Sequence, residues 1–121
     1  MPLNETFTFE PEREGAGSLP LLSDPVTIAS GQVLSRLTLV GRVTATRKVI
    51  KSVKTATDGS EKPVGFLAVD VDATGADTDA PVYKFGVFDS GAIVIDASWT
   101  LSEVRAAFDR SPIFIRTPLE L

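Results

Sequence analysis

From residue 26 to residue 116, short apolar and β-branched runs alternate with turn residues, and this pattern predicts a β-rich fold. The predicted strands cover residues 26–29, 33–50, 64–69, 82–88, 92–95 and 113–116, with an interruption of the long second stretch at Gly41. Strong turn residues occupy Thr57–Ser60, and the run 70–80 is predicted to be a polar loop. No internal repeat is visible in the sequence, so we expect one small domain.

A single helix is predicted near the C-terminus. Thr100 and Glu103 have the spacing of a capping box, in which each side chain bonds to the backbone N–H of the other residue. Leu101, Val104 and Phe108 follow at helical spacing on one face. The Ser-Pro pair at 111–112 ends the pattern, so the helix is expected from Leu101 to about residue 110.

The first 25 residues differ in composition from the rest of the chain. They contain five acidic residues against one basic residue, whereas acids and bases balance in the remaining 96 residues. Four of the eight prolines also lie here, and proline fits neither helix interiors nor central strands. We therefore predict an extended N-terminal arm over residues 1–25, followed by a β-rich domain over residues 26–121.

The arm contains one segment with the pattern of a strand, Glu5–Glu10, in which Phe7 and Phe9 share one face and Thr6 and Thr8 share the other. It could pair with the chain's own sheet or with the sheet edge of another protein. Burial of two Phe side chains yields ~3–6 kcal/mol, whereas ordering about ten residues costs on the order of 10–20 kcal/mol. A single arm is therefore expected to stay bound only if a partner strand supplies hydrogen bonds and several arms are tethered together.

The composition excludes much enzyme chemistry, because the chain has no cysteine and no histidine. Disulfides, thiolate nucleophiles, Cys/His zinc sites and imidazole bases are all removed. The densest carboxylate group only imitates the start of a calcium loop, since Pro81 stands where the bidentate acid belongs. We interpret it as a solvated loop and predict no catalytic, metal or cofactor site; the group comprises Asp70, Asp72, Asp77 and Asp79.

Five cations lie within thirteen residues that contain no acid: Arg42, Arg47, Lys48, Lys51 and Lys54. Such a run could contact phosphates, but it has no aromatic stacking residues and the whole chain is acidic. The favoured interpretation is a solvated strand face opposite acidic neighbours. Trp99 and Phe108 are expected in the core. The apolar runs are far shorter than the ~20 residues that span a bilayer, and the acidic, proline-containing start does not resemble a signal peptide, so we expect synthesis in the cytoplasm and no membrane partner.

Several short motifs of the sequence, in the same order along the chain, resemble the lambda-type phage head decoration protein D family. They are residues 5–9, 30–34, 39–44, 56–60, 63–68, 70–74 and 80–83, with Gly86 and Phe88. After residue 88 only the hydrophobic pattern and the helix continue the resemblance. The last residues, 116–121, match no motif of the family.

The resemblance implies a β-clip-like fold, a small barrel or bent ribbon with an extended arm. It implies a homotrimer at the three-fold positions of an expanded icosahedral head, on the outer surface of the virion, that holds the shell against the pressure of packaged DNA. The arm, through Thr6, Phe7, Thr8 and Phe9, is then expected to add a strand to the major capsid protein. No direct nucleic-acid contact is expected.

Two hypotheses accompany this interpretation. Apolar residues of one strand, Val82, Phe85 and Val87, are expected to help close the trimer. The alternative function is a nucleic-acid or polyanion binding module that uses the basic segment 42–54, and it predicts steeply salt-dependent binding to DNA.

Overall fold

The computed structural model describes residues 21–117 and shows a mainly β protein with one short helix. Residues 1–20 of the predicted arm, including Thr6–Phe9, lie outside the described residues, as do residues 118–121, whereas residues 22–25, also predicted to belong to the arm, begin the first strand. In chain order the elements are β1 (Leu22–Ile28), β2 (Val33–Leu34), β3 (Leu39–Arg42), β4 (Val49–Lys51), β5 (Pro63–Leu67), β6 (Val71–Asp72), β7 (Thr78–Asp89), α1 (Leu101–Ala107) and β8 (Ile113–Arg116).

Five strands close into a small barrel. Neighbouring strands follow the order β1-β4-β3-β5-β7, and β7 pairs in turn with β1, which closes the ring. All of these pairs are antiparallel except β1 with β4. Outside the barrel, β8 lies parallel to the second half of β7, and β2 and β6 form a separate two-stranded sheet. Closure leaves the barrel strands with few free backbone edges.

The barrel interior and the outer face of its sheet hold two separate hydrophobic clusters. Side chains alternate in direction along each strand, so neighbouring residues belong to opposite clusters. Thus Val40 and Leu67 fill the barrel, whereas Leu39 and Phe66 face outward beneath α1. The outer cluster is rich in aromatic residues, and the Phe66 ring lies 4.9 Å from that of Phe88 and 5.6 Å from that of Phe108.

Helix α1 begins with the predicted capping box. The Glu103 backbone N–H donates to the Thr100 hydroxyl, and the Thr100 N–H donates to the Glu103 carboxylate at 2.9 Å. Val104 is fully buried and Phe108 nearly so, which confirms the predicted apolar face. The helix ends at Ala107, three residues before the predicted end, and turns lead from it to β8.

Thr100→Ala is expected to destabilise the domain by about 1 kcal/mol, because it removes the acceptor for one N–H of the first turn. Urea unfolding at fixed protein concentration measures this change. Ser102→Ala is the matched control, since Ser102 is exposed in the same turn and should change stability by less than about 0.5 kcal/mol. Equal effects of the two substitutions would contradict a capping role.

Three strand predictions need correction. The run 70–80, predicted to be a polar loop, contains β6 and the start of β7, because Val71 pairs with Leu34 and Thr78 pairs with Ile28. Residues 92–95 form no strand; they contribute only a bridge between Val94 and Thr38. Gly41 does not interrupt the long second stretch but lies inside β3, at a register shift opposite β5; the stretch breaks instead at residues 35–38, between β2 and β3, and at the turn over residues 44–46.

Candidate functional site

The residues predicted to close a trimer divide between the core and the surface. Val82 is fully buried in the barrel interior, whereas Phe85 and Val87 are half-buried. A fully buried side chain has no surface to offer a second copy, so Val82 serves the core of the protomer. Of the three predicted residues, only Phe85 and Val87 have exposed surface that could contact a second copy.

A bulge in β7 determines which side of the sheet the half-buried Phe85 and Val87 face. Leu22 pairs with Phe85 but the next residue, Ser23, pairs with Tyr83, so Lys84 is an extra residue in β7. Beyond the bulge, Gly86 and Phe88 are buried and alternate with the half-buried Phe85 and Val87. Phe88 faces the outer cluster, and Phe85 and Val87 consequently face the opposite side of the sheet.

Two further residues extend this side into a continuous apolar surface. Leu22 is the register partner of Phe85, and Phe114 of β8 is the partner of Val87, so each lies beside its partner on the same side of the sheet. Their side chains are 54% and 57% exposed, which is high for Leu and Phe. We call Leu22, Phe85, Val87 and Phe114 the apolar face. Contiguous exposed apolar surface of this kind commonly marks an interaction site.

Both ends of the described chain leave the domain beside the apolar face. β1 begins at Leu22, opposite Phe85, and β8 ends at Arg116, opposite Asp89. These two positions on β7 are separated by roughly 13 Å at the usual strand rise. Residues 1–20 therefore connect to the domain at the edge of this surface.

The basic run is largely occupied by ion pairs. Lys48 lies 2.7 Å from Asp77, Lys51 lies 3.6 Å from Asp96 and Lys54 lies 2.9 Å from Glu103. The acids come from other parts of the chain, as expected for a strand face opposite acidic neighbours. Exposed pairs like these contribute little stability, but they neutralise three of the five cations that a polyanion site would use.

Hydrogen bonds lower the pKa of each of these acids. For Asp77 the main cause is the hydrogen bond from Lys48, followed by the Ser30 backbone N–H. For Glu103 it is the hydrogen bond from Lys54, followed by the Thr100 N–H of the capping box. The Ser98 backbone N–H and hydroxyl are the main causes of the lowered pKa of Asp96. All three groups therefore stay ionised at neutral pH and keep their lysines paired.

The carboxylates of the predicted polar loop bond to nearby turns and strands. Asp70 accepts the Arg36 N–H at 2.8 Å, Asp72 accepts the Thr74 N–H and hydroxyl, and Asp79 accepts the Thr27 hydroxyl at 2.9 Å. The hydroxyl bond, then the backbone bond, lowers the pKa of Asp72. In the described range 21–117, no three acidic side chains converge closely enough to hold a metal ion.

Trp99 and Phe108 lie in the core, as predicted. Both belong to the outer cluster, and the Trp99 indole N–H donates to the Ser52 carbonyl oxygen at 3.2 Å. Sequence reasoning missed Leu22, assigned to the arm, and Phe114, assigned only to a closing strand. The available signal was the alternation Ile113-Phe114-Ile115-Arg116, which places Phe114 on the side of β8 opposite the two isoleucines.

A second surface lies near the first half of β7. Six residues of the β2–β6 sheet and its flanks line a shallow groove of about 530 Å³: Val33, Leu34, Ser35, Asp70, Val71 and Asp72. Val33 is 66% exposed and provides an apolar wall. We call this the acidic groove. Between residues 21 and 117, no helix has the length and apolar character to cross a membrane.

The described residues form a closed β-barrel with an exposed apolar face beside both ends of the described part, an arrangement typical of a small binding module. The family model of the bacteriophage lambda head decoration protein D matches residues 18–113, most of the chain. The chain therefore belongs to this family, and the resemblance found in the sequence is confirmed. A comparison with curated proteins finds no match. Membership makes the protein a structural component of phage heads that binds the capsid.

Proposed function

We propose that the protein is a cement protein that binds the outer surface of the expanded phage head as a homotrimer at the three-fold sites. In this role it holds the shell against the internal pressure of packaged DNA, and its N-terminal arm adds a strand to the major capsid protein. The observation that carries the proposal is the family match over residues 18–113. We expect synthesis in the host cytoplasm before attachment.

The architecture supports a mechanical role. Closure of the barrel and a buried aromatic cluster on its outer face give a body that can transmit load without a free barrel edge. The N-terminal segment joins this body at Leu22, beside the apolar face. A compact body with an attached strand-forming segment suits a clamp that gains affinity when several copies act together.

The homotrimer is proposed to form through Phe85 and Val87, which stay on the surface after Val82 is assigned to the core. Three tethered arms bind far more tightly than one, because each later arm binds at a high effective concentration. A binding site that exists only on the expanded lattice then makes attachment depend on shell maturation.

The test compares binding to unexpanded and expanded heads by co-sedimentation. We expect saturable binding to expanded heads and none to unexpanded heads, together with protection of packaged DNA from nuclease during heating. Imaging of the saturated heads should place density at the three-fold positions. Equal binding to both shell states would contradict the proposal, as would steeply salt-dependent binding to free DNA.

A further inference from the structure

We infer that the apolar face of one copy docks into the acidic groove of the next, with Phe114 as the apolar contact and Arg116 as the charged one. This inference rests on the proposed function, from which it takes the homotrimer. It names two different surfaces of the same chain as partners. A head-to-tail contact of this kind produces a closed ring when its rotation closes.

The two surfaces have the placement that a ring requires. The acidic groove lies near the first half of β7, because β6 contacts β7 and the Ala68 N–H donates to the Pro81 carbonyl oxygen. The apolar face is on the second half of β7 and on β8. Because they lie near different halves of β7, both can be engaged at once by two neighbouring copies.

The surfaces are also complementary in chemistry. Phe114 and Val33 are the most exposed large apolar side chains of the described residues, and one lies on each surface. Arg116 follows Phe114 by two residues, so it projects from the same side of β8 and is exposed. The groove contains Asp70 and Asp72, each of which has a second carboxylate oxygen that can accept an N–H group of an arginine.

These charges have no ionic partner within the protomer's described part. Four ion pairs occur between residues 21 and 117, and none of them includes Arg116, Asp70 or Asp72. The aspartates already accept N–H or hydroxyl groups through one oxygen each, which fixes their side chains in place. A preorganised carboxylate loses less conformational freedom when a second copy binds.

The experiment measures the oligomeric state of the full-length chain by light scattering at micromolar concentration, without heads. We expect a trimer for the wild type and at least about tenfold weaker association for each of Phe114→Glu, Arg116→Glu and Asp72→Arg. The double variant Arg116→Glu with Asp72→Arg restores the charge pair with reversed sign and should recover the trimer. Val94→Glu is the matched control, because Val94 is exposed but lies on neither surface.

Circular dichroism shows whether each variant is folded, and only folded variants are scored. A monomeric or open-ended polymeric wild type would overturn the inference, and so would a double variant that stays dissociated. If Phe114→Glu leaves the trimer intact but abolishes binding to heads, the apolar face belongs to the capsid contact and the inference fails. Failure of the wild-type trimer to bind expanded heads would instead contradict the proposed function and leave the contact between copies standing.

Discussion

Deletion of residues 1–14 will abolish co-sedimentation with expanded heads and leave the barrel folded. The deletion ends seven residues before the exposed Leu21, and β1 begins only at Leu22, so no strand of the barrel is cut. The deleted residues include Thr6–Phe9, the segment proposed to add a strand to the capsid protein. Because avidity multiplies the contribution of each arm, the loss of all three arms of the proposed trimer should reduce binding by more than about a hundredfold.

A sharper version of the test replaces only the two aromatic residues. Phe7→Ala with Phe9→Ala removes ~3–6 kcal/mol of burial per arm, whereas Thr6→Ala with Thr8→Ala changes the other face of the proposed strand. The first pair should lower head binding much more than the second. Trimer content, measured in solution, should be the same in both. Unimpaired sedimentation of the deletion variant with expanded heads would contradict the arm mechanism.

Local features of the fold could be predicted from the sequence, because they depend on residues close together in the chain. The capping box of α1 needs only Thr100 and Glu103, and the turn at Thr57–Ser60 depends on Gly59, whose φ of 104° suits glycine. The β8 segment was predicted with its observed bounds for the same reason. These elements are specified by spacing and turn chemistry alone.

The candidate surfaces could not be predicted, because they depend on pairing between distant strands. The bulge at Lys84 puts Phe85 and Val87 on the same side of β7 as Val82, yet Val82 is buried in the barrel whereas Phe85 and Val87 are half-buried. Regular alternation of side chains along a strand without a bulge would have placed Val82 and Phe85 on opposite sides of the sheet. It would not have shown which side is covered by the rest of the protein. Leu22 and Phe114 meet these residues only through the β1–β7 and β7–β8 registers.

Gly65→Ala should destabilise the domain by about 3 kcal/mol or more, because the added methyl group meets backbone atoms that cannot move aside. A Cβ at Gly65 would lie 2.1 Å from the Tyr83 carbonyl oxygen and 2.9 Å from the Val82 Cγ1 atom. The carbonyl belongs to the backbone of β7 and cannot rotate away like a side chain. Strands β5 and β7 must therefore separate, which opens the closed barrel between its two hydrophobic clusters.

Gly41→Ala provides a second position with the same physical cause, since its Cβ would lie 2.0 Å from the Ser60 carbonyl oxygen. That oxygen also accepts the buried Ser52 hydroxyl at 2.7 Å, so a shift there also weakens an internal hydrogen bond. Urea unfolding at fixed protein concentration should show both variants with a lower midpoint, or no cooperative transition at all.

Gly75→Ala is the matched control, because it replaces a glycine by alanine without bringing a Cβ atom into contact with backbone atoms. A Cβ at Gly75 meets no atom within 4 Å, and its φ does not require glycine. The substitution should leave stability within about 0.5 kcal/mol or raise it slightly, because alanine restricts the unfolded chain. A Gly65→Ala variant as stable as Gly75→Ala would mean that β5 and β7 are farther apart than the closed barrel requires.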